Sequence, residues 1–455
     1  MIASTDLTSV VRRFYILILI PALFLSGCTG GGGGGAPGNT VTPAAWVGTQ
    51  EMGSTVAGMQ TYGTSVATDV SGNVYTAGYT NNLGAASIGS SDFFVTKFGS
   101  NGSIVNPYPN LLGGRFETYG YSVATDTNGN VYVAGYTAGG LDGNTSFGGS
   151  AFVTKYDNTG VKQYTKLEGA TGVSTTGFSV ATDTNGNVYV AGYTTGGLDG
   201  NTLTGANDFF LTKYDSTGVK QYTKQLGVAG AITWGQSVAT DSNGNVYVAG
   251  YTNGGLDGNT LSGVGDYDFF VTKFSSAGVK QYTKQLGVAG ANSTGYAVAT
   301  DTNGNVYVAG TTSGGLDGNT MTGTMDFFLT KYDNTGLKQY TKQLGVAGAS
   351  TSGNSVASDS SGNVYVTGNT NGGLDGNTLT GTNDFFLTKY DSTGVKQYTK
   401  QLGVAGASTS GKSVATDASH NVYVAGTTYG YLDSNYLIGV PYSFVTKYNS
   451  AGVKQ

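Results

Sequence analysis

Cysteine and histidine occur once each in the 455 residues, at Cys28 and His420, and glutamate occurs three times, at Glu51, Glu117 and Glu168. One cysteine excludes an internal disulfide framework and any cysteine-based zinc cluster. One histidine excludes a multi-histidine metal centre. Charged residues make up only 11% of the chain, the formal net charge is -5, and no basic block occurs. That balance lacks the cationic footprint of a nucleic-acid binder. The longest apolar run, Phe14 to Leu25, has 12 residues, too short to span a bilayer comfortably. What the chain does have is glycine (77) and tyrosine (32). With so few strong helix formers, that composition favours strands joined by turns.

The apolar run carries an address. Arg12 and Arg13 precede it, and Leu25-Ser26-Gly27-Cys28 follows. A charged start, a short apolar centre and small residues before a cut describe a secretory signal over residues 1–27. The Leu-Ser-Gly-Cys end resembles the lipobox of bacterial lipoproteins. That resemblance implies cleavage before Cys28 and acylation of its sulfur and new amino group, giving a stable anchor. Residues 28–43, with six consecutive glycines from Gly30 to Gly35, then read as a lipidated cysteine and a tether. A flexible linker of this length reaches roughly 20 Å. Thr29, which is not aspartate, points to the outer membrane under the enteric sorting rule. The expected location is the bacterial envelope, with the choice between surface and periplasmic face left open.

Everything after the tether repeats. The phrase Ser-Val-Ala-Thr-Asp recurs with small changes, its aspartates being Asp69, Asp126, Asp183, Asp241, Asp301, Asp359 and Asp417, spaced 57 to 60 residues apart. The fourth copy parses into strand A (Ser237 to Asp241), strand B (Asn245 to Thr252), strand C (Asp268 to Phe274) and strand D (Val279 to Leu286). Gly287 to Gly295 reads as a small-residue linker to the next copy. In strand B, Val246 and Val248 face one way and Tyr247 and Ala249 the other, so both faces are apolar. A blade packed between two neighbours needs that. Strand D, with Lys280, Gln281, Lys284 and Gln285, suits an outer edge, where lysine discourages pairing with other molecules. The expected fold for residues 44–455 is all-β: a seven-bladed β-propeller of four-stranded blades, a solenoid being the alternative. The last copy ends at Lys454-Gln455, where others continue, and Val56-Ala57-Gly58 lies 13 residues before Asp69, as Val404 lies 13 before Asp417. The N-terminal residues around Trp46 to Gly53 are therefore expected to complete the last blade and close the ring.

The units SVATDTNGNVYVAGYT and DFFLTKYDSTGVKQYTKQLG resemble the SBBP family of bacterial beta-propeller repeats, with NHL repeats a more distant parallel. The resemblance implies a seven-bladed propeller on exported or envelope proteins and no enzymatic activity.

Four features are candidates for chemistry. Asp-x-Asn-Gly-Asn between strands A and B, as in Asp126 to Asn130, looks like a truncated calcium loop but supplies too few oxygens. A hairpin turn is the better reading. His420 replaces that turn's glycine in the last copy, a position where histidine tolerates positive φ, and it has no companion for catalysis or metal binding. Leu-Asp-Gly-Asn recurs between strands B and C, as Asp142 and Asn144, Asp199 and Asn201, Asp257 and Asn259, Asp317 and Asn319, and Asp375 and Asn377; the last copy has Leu432-Asp433-Ser434-Asn435. B–C loops and D–A linkers share one face, so these groups are candidate ligand-binding loops, for a glycan or a protein. The competing reading is a turn with leucine as a plug. Finally, the Phe-Phe pairs opening strand C, at Phe209, Phe269, Phe327 and Phe385, are expected to pack between blades. The copies are too alike to assemble unlike catalytic residues, and no phosphate-binding glycine motif is present. The chain is thus expected to be no enzyme, to use no cofactor and no metal, and to act as a membrane-anchored interaction scaffold. A periplasmic assembly scaffold, or less favourably a glycan-acting enzyme, is the alternative. Oligomeric state is not legible.

Overall fold

The computed structural model describes residues 45–54, 58–81, 89–146, 148–433 and 440–455. The signal segment, Cys28, the tether, Val56-Ala57 and Ser434-Asn435 lie outside the described residues. No described helix is long and apolar enough to cross a membrane.

Seven repeats of a four-stranded antiparallel sheet make an all-β, propeller-like fold. The fourth blade shows the pattern: strand A Thr233–Thr240, B Val246–Thr252, C Asp268–Phe274 and D Lys280–Leu286, hydrogen-bonded in that order. Strand A thus starts four residues before the sequence expectation. Its first half, Thr233-Trp234-Gly235, pairs with Thr252, Tyr251 and Gly250 of strand B. A bulge between Gly235 and Ser237 recurs at the matching place in all seven blades. An ideal Cβ on Gly250 would lie 1.8 Å from the Trp234 carbonyl oxygen, so only glycine allows strand A to cross this closely. The second and third sheets also touch through a two-residue parallel bridge, Val173 to Gly148 and Ser174 to Gly149.

Blade-to-blade packing follows from the two apolar faces of strand B. Val246, Tyr247, Val248 and Ala249 are all fully buried. Tyr247, Ala249, Phe269 and Val271 of the fourth blade meet Val306, Val308 and Phe328 of the fifth. The first phenylalanine of one pair stacks on the second of the next, Phe269 on Phe328 at 4.8 Å and Phe327 on Phe386 at 5.0 Å. Two blades depart from this: where the other five pair phenylalanine with leucine, the second has Ala151 and Glu168 and the seventh has Ser443 and Met52. The buried Glu168 faces Lys220 at 3.2 Å, and burial raises its pKa against the opposing pull of that lysine.

The A strands line a central passage with seven sets of Val-Ala-Thr or Val-Ala-Ser. Each set's hydroxyl donates to the preceding blade. Thr125 donates to the Thr68 carbonyl, and so on through Thr182, Thr240, Thr300, Ser358 and Thr416, at 2.7–2.9 Å. Thr68 itself donates to the Thr416 carbonyl at 2.8 Å. Trp46, Val66, Val74 and Phe98 share a core with Tyr423, Ala425 and Val445 of the seventh blade. The N-terminal strand, Thr49–Met52, pairs antiparallel with Tyr442–Tyr448, taking the strand D position there.

That strand carries one odd residue. In blades three to six a strand D glutamine accepts the N–H of the Leu-Asp-Gly-Asn leucine, as Gln285 does from Leu256 and Gln343 from Leu316. Here Glu51 accepts it from Leu432 at 2.7 Å. Burial pushes the Glu51 pKa up to about 7, the Leu432 N–H opposes the rise, and repulsion from Asp433 adds to it. A carboxyl whose folded pKa lies above its unfolded value stabilises the fold at low pH. That contribution is lost as pH rises from about 4.5 towards about 7. Glu51→Gln keeps the acceptor and removes the charge. Allowing for solvent screening of this partly exposed group, it should gain on the order of 1 kcal/mol at pH 8 and nothing at pH 4. Thermal melts across that range check it; an equal shift at both ends would refute the assignment.

Candidate functional site

The Leu-Asp-Gly-Asn loops are internally satisfied. Their leucines, Leu141, Leu198, Leu256, Leu316 and Leu374, are fully buried between blades. Asp142, Asp199, Asp257, Asp317 and Asp375 adopt φ of 51–57°, a left-handed conformation that aspartate tolerates. Each pairs with the first lysine of strand D in its own blade: Lys162, Lys220, Lys280, Lys338 and Lys396. Asn144, Asn201, Asn259, Asn319 and Asn377 each donate to the loop leucine carbonyl and to a strand D threonine carbonyl. The ten side chains therefore tie loops to outer strands of five blades, and the fold does not bring them together.

The turn aspartates are equally occupied. In the fourth blade, Asp241 Oδ1 accepts the N–H groups of Asn243 and Asn245 at 2.9 Å. Its Oδ2 accepts Asn245 Nδ2 at 2.8 Å and the Tyr247 hydroxyl at 2.9 Å. Burial first, then this carboxylate, holds the Tyr247 phenol far above its usual range. Among the described residues no group of three or more His, Cys, Asp or Glu is placed to hold a metal ion. His420 takes φ 60° at the glycine position and sets Nδ1 3.5 Å from Asp359 Oδ2 of the sixth blade. It is the one histidine of the sequence.

What the fold does gather lies at the mouth of the passage, where strands A start and strands B end. Three positions per blade meet there: the residues flanking the strand A glycine, and the penultimate residue of strand B. In near-identical copies these positions differ. The strand A pairs are Tyr62 and Thr64, Tyr119 and Tyr121, Thr176 and Phe178, Trp234 and Gln236, Thr294 and Tyr296, Ser352 and Asn354, and Ser410 and Lys412. The strand B positions are Tyr79, Tyr136, Tyr193, Tyr251, Thr311, Asn369 and Thr427.

The aromatic members form a continuous arc across five blades. Tyr62 stacks on Tyr79 at 4.8 Å, and Tyr79 meets Tyr119 edge-on at 4.7 Å. Tyr121 meets Phe178 at 5.8 Å, and Phe178 meets Tyr193 at 5.6 Å. Tyr193 stacks on Trp234 at 4.7 Å, Trp234 meets Tyr251 at 5.6 Å, and Tyr251 meets Tyr296 at 6.5 Å. Most of these rings are half-buried, and Tyr296 is 37% exposed. A cavity between the first two blades is lined by Gln60, Tyr62, Tyr79, Asn81, Tyr119 and Tyr121. Core packing does not require aromatics that stop short of full burial, and the same scaffold stands with threonine, serine or asparagine in the other blades.

The rest of the circle is polar. Asn354 donates to Asn369 Oδ1 at 3.2 Å and to the Gly411 carbonyl at 2.9 Å. Lys412 is the one charged side chain at the strand A positions, and no acceptor or carboxylate among the described residues pairs with it. It is open to solvent yet ringed by protein, and that loss of hydration lowers its pKa. The sequence signal for this site was the variation inside Thr/Ser-x-Gly-x, hidden when these residues are taken as a linker.

A family model, the beta-propeller repeat SBBP, matches residues 49–84, 111–142, 163–199, 221–257, 281–317, 339–375 and 397–432, more than half of the chain. The chain belongs to the SBBP beta-propeller repeat family. Each SBBP unit runs from strand D of one blade through strands A and B of the next; residues 221–257 take in all but the first residue of Lys220–Leu226, then Thr233–Thr240 and Val246–Thr252. The first unit begins at Thr49, in the N-terminal strand. Among curated proteins, the Regulatory protein FlaEY of Caulobacter vibrioides is 26% identical over 228 residues, 43% of this chain and 23% of that protein, so the match spans about a quarter of the relative's length. Among solved structures, U3-55K matches with 10% identity, 88% of this chain, 98% of that chain and a TM-score of 0.49. The beta-propeller domain of the Trilobed protease from Pyrococcus furiosus matches with 9% identity, 82% of this chain, 94% of that chain and a TM-score of 0.44.

Proposed function

We propose that this protein is a non-catalytic binding scaffold of the bacterial envelope. It is held to the outer membrane through lipidated Cys28, its seven blades are latched into a closed ring by the N-terminal strand, and it takes its ligand at the aromatic mouth. The observation that carries the reading is the concentration of differences between near-identical blades at that mouth. Duplication alone would keep those positions as uniform as the rest. Support for closure is the hydroxyl relay that returns from Thr68 to Thr416, and the pairing of Thr49–Met52 with the seventh blade. The regulatory name of the curated relative agrees with an interaction role rather than turnover. A rigid ring of blades is a suitable carrier for a site assembled from several of them.

Two measurements test this. Cells fed an alkyne-tagged palmitate should label the wild type but not Cys28→Ser, which should also leave the membrane fraction; a labelled or membrane-bound variant would defeat the anchor. For the mouth, a variant combining Tyr121→Ala, Phe178→Ala and Trp234→Ala, shown by circular dichroism to be folded, should no longer retain the envelope glycan or protein fraction that the wild type retains. Equal retention would move the site elsewhere.

A further inference from the structure

We infer that the mouth binds a carboxylate-bearing glycan, with successive sugar rings stacked along the arc from Tyr62 to Tyr296 and the carboxylate paired with Lys412. This rests on the reading of the mouth as the ligand site and names the chemistry it would take.

The arc supplies flat, half-exposed ring faces, and sugars present C–H faces that pack on such rings. Around it stand groups suited to hydroxyls rather than to apolar side chains: Gln60, Asn81, Gln236, Asn354, Asn369 and the phenol groups of the arc itself. The contacts pass from blade to blade without a gap from the first to the fifth. That describes an extended site for an oligomer rather than a pocket for one small molecule.

A peptide is the rival occupant, and its usual purchase is missing. Strand addition needs free backbone groups along a sheet edge. The inner edge of the A strands is engaged by its neighbours: the Thr68, Thr125, Thr182 and Thr240 carbonyls accept hydroxyls, and the Val123, Val180, Val238 and Val298 N–H groups donate to serine oxygens. The charge is specified by what Lys412 lacks. The first lysine of strand D in blades two to six sits beside an aspartate, and the second lies over a tyrosine ring, as Lys284 over Tyr282 at 5.6 Å. The strand C lysines of blades one to six donate to carbonyls of the next blade, as Lys273 does to Asn334 at 2.9 Å. Lys412, ringed by protein, has no such partner, and an anion on the ligand would supply one.

Three probes decide it on the full-length protein: hexagalacturonate, the same oligomer with its carboxyl groups reduced to alcohols, and a hexa-aspartate peptide. Trp234 lies in the arc, so emission reports stacking, and calorimetry gives the affinity. Hexagalacturonate should bind roughly tenfold more tightly than its reduced form. Lys412→Met should erase that difference without touching the reduced oligomer, and Lys412→Arg should keep it. If the two oligomers bind equally and Lys412→Met changes nothing, the carboxylate assignment fails while the mouth remains a glycan site. If only the peptide binds, the glycan assignment fails. If none of the three binds while the wild type still retains an envelope fraction that the arc variant releases, this inference falls and the binding scaffold stands.

Discussion

Phe269→Ala should cost about 3–5 kcal/mol, because a fully buried ring is removed from a seam with nothing to refill it. Phe269 lies between the fourth and fifth blades, stacked on Phe328 at 4.8 Å and packed with Tyr247, Val306 and Val308. Strands B on both sides are held by full ladders of backbone pairs, so the walls of the cavity cannot close in. Denaturant unfolding should show a lower midpoint with little change in slope. Phe209 is expected to behave alike, since it stacks on Phe270 at 5.2 Å in the preceding seam. The second-to-third seam already carries Ala151 and the buried Glu168 at the corresponding places, so its amides should exchange before those of the five seams with a stacked phenylalanine pair. A midpoint unmoved by Phe269→Ala would mean that the blades are held by backbone and relay contacts alone.

The second large effect is expected at Trp46. It is 4% exposed and touches both ends of the repeat array, with Phe98 of the first blade at 6.1 Å and Tyr423 of the seventh at 5.6 Å. Its Nε1 donates to the Gly48 carbonyl at 2.9 Å, which fixes the approach of the N-terminal strand to Tyr442–Tyr448. Trp46→Ala should cost about 3–5 kcal/mol if the strand is a latch whose release frees the whole array. Deleting residues 45–54 should then bare the edge of Tyr442–Tyr448 and cause association through strand pairing, visible by light scattering. If Trp46→Ala instead loosens only the N-terminal residues to protease, and the main transition stays in place, the strand is an ornament and the relay from Thr68 to Thr416 suffices.

The two effects test different layers of one construction. Stacked phenylalanines hold neighbouring blades, a local and repeated contact. The Trp46 contact joins residues far apart in the chain, so its loop-closure entropy is met once, on folding. Neither depends on the residues at the mouth, which can therefore vary from blade to blade while most seams keep their phenylalanine pair.

Much of this was legible in the sequence because its causes are local. The period of 57 to 60 residues gave the number of repeats, and Asp-x-Asn-Gly-Asn marked a turn that Asp241 ties with four hydrogen bonds. Apolar residues on both faces of Val246–Thr252 marked a strand buried on both sides. Three things depended on residues far apart. Thr233-Trp234-Gly235 looks like a loop by composition and becomes strand only by pairing with Gly250 and Tyr251. Asp257 looks like a free ligand group until Lys280 of the outer strand is folded against it. Glu51 looks like an ordinary surface carboxylate until Leu432 and Asp433 are brought beside it.

The sequence by itself therefore determined most of the blade: strands B, C and D, the second half of strand A, its turns, buried faces and sevenfold repetition, since these follow from spacing and side-chain size within about 60 residues. The tertiary structure alone decided which variable residues share a surface. Tyr62 and Tyr296 lie in blades one and five, and Lys412 in blade seven; only the arrangement of the A strands about one passage places all three at its mouth.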